Sequence, residues 1–211
     1  MRKILEIGGF VAGALLIVFG VAAIVMGVNG RSTVRDSLRQ EQIVGSADMT
    51  PSAIKEEAMK AGLPPTIALP TSDVAGKPID TGARARDFAS YMRIHTLESS
   101  GGLVYSQLPR YATVNGKGTN DPTLALKDSK GQPVANAARD TWITETALTT
   151  ALNVSYMAEQ LALFGIVVGV ALLLAGIGFV VLAIGGTMRN PEPALQLSLH
   201  RKAGPVAAGA H

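Results

Sequence analysis

Residues 7–30 read IGGFVAGALLIVFGVAAIVMGVNG. From Ile7 to Val28 there are 22 residues without a charge, about 33 Å of helix and enough to cross a hydrocarbon core of about 30 Å. A secretory h-region is shorter, about 7–15 residues, and ends at a small-x-small cleavage site. No clear site of that kind follows here, so the segment is expected to stay as a membrane anchor. A second apolar block, LALFGIVVGVALLLAGIGFVVLAIGG, occupies 161–186. No other window approaches these lengths. The fold expected is an all-α membrane protein, with two transmembrane helices and a mostly helical extracytoplasmic domain between them. The boundaries expected are 1–6 for an N-terminal tail, 7–29 and 159–186 for the spans, 30–158 for the outer domain and 187–211 for a C-terminal tail.

Bulk composition agrees. The 211-residue chain is 47% hydrophobic and 17% charged, and it has no cysteine, which excludes disulfides, thiolate metal sites and a cysteine nucleophile. The two tails carry Arg2, Lys3, Arg189, Arg201 and Lys202 against Glu6 and Glu192, whereas the connecting segment is close to neutral. Basic excess on short flanks marks the cytoplasmic side, and long loops translocate with little regard to charge. Both termini are therefore expected in the cytoplasm of a protein in the cell membrane.

Within the connecting segment, RSTVRDSLRQ can prolong the first helix outward. Thr50 followed by Pro51, with Gly62 beyond, brackets a helix near 50–61, with Ile54, Ala58 and Met59 as its apolar stripe. Thr81 caps another over 82–99, where Ala85, Phe88, Met92 and His95 recur at helical spacing and Gly101-Gly102 ends the run. Residues 112–134 read as a polar, mobile surface excursion with turn signals. From about Ala135 a long helical pattern enters the second span unbroken. Ile143, Ala147, Thr150, Val154, Ala158 and Leu161 alternate by four and three, the spacing of a packing seam. The segment holds few apolar residues, so its core is expected to lean on these two stalks or on a partner.

Small residues carry the strongest pattern. Gly9, Gly13, Gly20 and Gly27 in the first span are separated by 4, 7 and 7, and Gly165, Gly169, Gly176 and Ala183 repeat that spacing in the second. Such offsets fall on one narrow helical stripe, and small residues in a stripe let helix backbones approach closely in lipid. These eight are the expected helix-packing residues, against each other or against a foreign helix.

Chemistry-bearing motifs are absent from the sequence. His95, His200 and His211 are the only histidines, and none shows metal-ligand spacing. GGFVAG and GGLVYS lack the lysine of a phosphate-binding loop. His95 reads as a partly buried, hydrogen-bonded residue near the end of its helix. The basic balance sits in the tails without interleaved aromatics, which points to a lipid surface and away from nucleic acid. No catalytic residue, cofactor or metal is expected.

IHTLESSGGLVYSQLPRYAT (94–113), the VAGKPID turn, the first span, and the terminal helix with Thr144, Ala147, Leu148 and Asn153 carry a family resemblance. The chain resembles a family of two-span actinobacterial membrane proteins circulating under the label "aromatic ring-opening dioxygenase". The resemblance implies topology and a bacterial host. The chemistry in the label needs an iron held by two histidines and a carboxylate, or a comparable set, and the outer segment offers His95 alone. The function expected is that of a non-enzymatic accessory or assembly subunit. It would pack in the bilayer against other integral membrane proteins, with a respiratory assembly as one such complex. The alternative is a self-associating sensor or scaffold whose outer domain binds an envelope ligand.

Overall fold

Thr50 and Thr81 begin two helices by the same means. In extended backbone, each hydroxyl accepts the amide hydrogen of the residue three positions on, Ala53 and Arg84, which satisfies one otherwise unpaired helix-start donor. The computed structural model describes residues 2–188, with side chains from 6 to 185. Four helices follow in order: α1 Arg2–Gln40, α2 Pro51–Lys60, α3 Gly82–Ser99 and α4 Ala137–Met188. Among the described residues there is no strand, only isolated β-bridges in the connections. Of the tail expected from 187 onward, Arg189, Arg201 and Lys202 lie outside the described residues.

Helices α1 and α4 are each long and apolar enough to cross a membrane, and both continue well beyond their apolar blocks. The chain forms two compact units: one of Met1–Phe19 with Leu172–His211, the other of Gly20–Ala171. The larger unit contains the connecting segment and its core. Ile54 of α2, Val74 and Ile79 of the linking segment, and Ala85, Tyr91 and Ile94 of α3 are almost fully buried. The stalks complete that core with Leu38 from α1 and Trp142 and Leu152 from α4. Two polar anchors sit at its margin. The Tyr91 hydroxyl donates to the Ser72 carbonyl at 2.9 Å, and the Trp142 indole N–H donates to the Leu103 carbonyl at 3.0 Å.

Three expectations need correction. Met59 is exposed rather than part of the α2 stripe, because the short helix presents only Ile54 and Ala58 inward. The α4 seam runs on a different face from the one expected: Ile143, Val154 and Leu161 are exposed. A run of buried and half-buried positions alternating by three and four passes through Glu145, Leu148, Leu152, Ser155, Glu159, Ala162, Ile166 and Gly169, while Ala158 of the expected seam is also half-buried. Here the helix keeps the register of its glycines and accepts two carboxylates on the inner face. Finally, the excursion at 112–134 is tied down by backbone hydrogen bonds, among them Tyr111 with Thr119, Ala112 to Val134, Leu126 to Ala112 and Asp128 to Gln132.

Candidate functional site

In each unit the small residues of α1 and α4 meet. Within the unit formed by the chain ends, a Cβ on Gly13 would lie 2.8 Å from the Gly176 carbonyl oxygen, and one on Gly176 would lie 2.7 Å from that of Gly13. Gly9 faces Ala183 more loosely, at 3.8 Å. Within the Gly20–Ala171 unit, a Cβ on Gly169 would meet the Gly20 carbonyl oxygen at 2.7 Å, and one on Gly27 would meet that of Ala162 at 2.6 Å. Within this unit the step of seven from Gly20 to Gly27 up α1 is matched by seven from Gly169 to Ala162 down α4, so these pairs are antiparallel and in heptad register. Gly165 stands at the margin, where an added Cβ would lie 3.9 Å from the Ala23 carbonyl oxygen, and one on Gly178 would meet open space. At Gly13, Gly27, Gly169 and Gly176 the contacts leave no room for a side chain, so backbones touch where larger residues would hold them apart.

The heptad positions turn polar at the end of the glycine run in the Gly20–Ala171 unit. Glu159 is buried on α4, and both its oxygens are used. Oε1 accepts from Arg31 Nε at 3.2 Å and Arg35 Nε at 3.0 Å, and Oε2 accepts from the Gly82 amide at 2.6 Å. One carboxylate therefore ties the start of α3 to α1 and α4 while offsetting the positive end of the α3 dipole. Gly82 must be glycine there, since a Cβ would lie 2.8 Å from the Tyr156 Cα.

No family model, no curated protein and no solved structure matches this chain. What the chain can do must therefore be argued from its own side chains. The resemblance drawn from its motifs remains an expectation.

A second polar group gathers at α2 and α3. His95 of α3 is half-buried, and its Nδ1 lies 3.0 Å from Glu57 Oε1 on α2. Asp48, in the turn before α2, places Oδ2 3.9 Å from His95 Nε2. Its Oδ1 accepts from the Ser46 hydroxyl, which is the main reason its carboxyl sits below the ordinary aspartate range. Glu98 is one turn beyond His95. The hydrogen bond that its protonated carboxyl donates to Glu57, then desolvation and the charge of Glu57, hold it above the ordinary glutamate range, with His95 pulling the other way. His95 Nε2 is buried and has no hydrogen-bond partner, an arrangement that costs about 1–3 kcal/mol when nothing compensates it.

The small-residue spacing of each span is a pattern within a single helix. The His95 group is not visible in the sequence. Asp48, Glu57 and His95 come from three separate segments, with no short spacing linking the first to the last. The one local signal is His95 and Glu98 at i and i+3 on a single helix face.

Proposed function

We propose that this chain is a non-enzymatic integral membrane subunit that packs beside a larger membrane complex, with its termini in the cytoplasm and its polar helical unit outside. The observation carrying this reading is how the two apolar helices are used. Their small-residue stripes are spent on each other, while Val18, Phe19, Met26, Phe164, Leu174 and Leu182 point outward and are exposed. Exposed apolar side chains on this scale fit a lipid environment or another protein's spans. The apolar stretches also lack the ionisable residues that line transport pathways. The surface offered to a partner is therefore the outer, bulky face of each helix and not the glycine stripe.

The test is to solubilise the native membrane in mild detergent and affinity-purify the tagged full chain. A stoichiometric integral membrane partner is expected, with a respiratory assembly the first to look for. Recovery of a lone monomer would overturn the reading.

One observation favours the second reading, a self-associating scaffold that binds an envelope ligand. A groove of about 340 Å³ in the Gly20–Ala171 unit is lined mainly by Leu38, Ile43, Leu148, Ala151 and Leu152. That reading requires homo-oligomer crosslinks in native membranes, and their absence would remove it.

A further inference from the structure

Only one of the two ring nitrogens of His95 has a hydrogen-bond partner. A carboxylate can only accept, so the Nδ1 facing Glu57 Oε1 at 3.0 Å carries the proton. In the neutral ring the Nε2 lone pair is then left over, buried and without a hydrogen-bond partner. Metal-bound histidines take this form: one nitrogen donates to a carboxylate, which fixes the ring, and the other meets the ion. Asp48 Oδ2 stands 3.9 Å from Nε2, too far for a hydrogen bond. Two ligand atoms that are each about 2.0–2.2 Å from one ion stand at most about 4.4 Å apart, so this gap is one an ion can bridge. One ligand atom from each of Asp48, Glu57 and His95 lies within 4.8 Å of the others.

We propose that His95 Nε2 and Asp48 form a binding site for one divalent transition-metal ion of the zinc type, with Glu57 as the positioning residue that holds the imidazole. The nitrogen donor selects zinc-like ions over calcium and magnesium, which take oxygen ligands. A dication also offsets the negative charge that Asp48 and Glu57 bring together. Water fills the remaining coordination positions. The site lies wholly within the Gly20–Ala171 unit and does not depend on which membrane partner the chain has.

Full-length protein, purified in detergent through a tag without histidines, is titrated with zinc chloride by calorimetry. Cobalt(II) absorption serves as a second readout that a purely structural role would not move. One saturable site per chain is expected. His95→Gln and Asp48→Asn should each weaken binding at least tenfold, and Glu57→Gln by about tenfold or more. Replacing His200 and His211 together by alanine should leave this site unchanged. Asp48 is exposed, so Asp48→Asn carries the test if His95→Gln does not fold. The proposal is overturned if the wild type shows no saturable binding up to about 1 mM zinc, or if the folded variants of His95 and Asp48 fail to weaken it tenfold.

Discussion

Replacing Glu159 by alanine leaves Arg31, Arg35 and the Gly82 amide turned toward one another with no acceptor. Both arginines are about one-third exposed, at 37% and 35%, and recover part of their solvation from water. The loss is therefore set below that of a fully buried pair, at about 2–3 kcal/mol. A lowered melting temperature in detergent checks it, and Arg31→Ala should cost less because Arg35 still answers the carboxylate. Glu98 gives a pH-dependent counterpart. Its raised carboxyl pKa means that the folded protein holds the proton more tightly than the unfolded chain does. Stability from this group is therefore full below the ordinary glutamate value of about 4.3 and is lost as pH rises through the folded value. Glu98→Gln keeps a donor without ionising, so it should remove that slope and raise the melting temperature at neutral pH. Asp48 acts in the opposite direction and in a separate window. Its lowered value makes its contribution complete above about 3.9 and lost as pH falls through the folded value.

At the scale of the helices, the antiparallel register of α1 and α4 can be trapped covalently. A Cβ on Gly9 would stand 3.8 Å from the Ala183 Cβ, close to the mean separation of about 3.8 Å across a disulfide. The chain has no other cysteine to compete. Gly9→Cys with Ala183→Cys should therefore form an intramolecular bond under mild oxidation, seen as a monomer with altered mobility on a non-reducing gel. A disulfide-linked dimer would mean that the stripes serve a second chain instead. Gly13→Leu meets backbone and Val180 at 2.8 Å and should destabilise the pair by about 1–3 kcal/mol, whereas Gly178→Leu, with open space, should stay within about 0.5 kcal/mol. The caps of α2 and α3 were legible because Thr50-Pro51 and Thr81 act through their immediate neighbours. The outer seam of α4 was misread for the opposite reason. Hydropathy favours Ile143, Val154 and Leu161, but burying Glu159 depends on Arg31 and Arg35, more than 120 positions away. No local pattern announces a carboxylate whose partners come from the far end of the chain.

At the scale of the molecule, what could be read from the sequence was the division of labour: two apolar helices, two short capped helices, and a polar segment between. The His95 group could not be read, because its members meet only after α2 and α3 have packed. The excursion beyond Pro109 was misjudged for a related reason. Its turn residues suggested mobility, yet they serve to fold it back on itself, and Tyr111 bridges both Thr119 and Ala135. Its two ends close on each other: the Asn136 amide side chain donates to the Pro109 carbonyl at 3.0 Å, and the Asn136 backbone N–H to that of Arg110 at 3.0 Å. Such a closed excursion behaves as a port. Its tip, at Asn115-Gly116-Lys117, is exposed, and exposed loop tips of this kind accept insertions well. A fluorescent protein or epitope spliced between Gly116 and Lys117 should leave the melting temperature of the remainder within a few degrees. The protein could then be followed or captured in intact membranes without a label on either terminus.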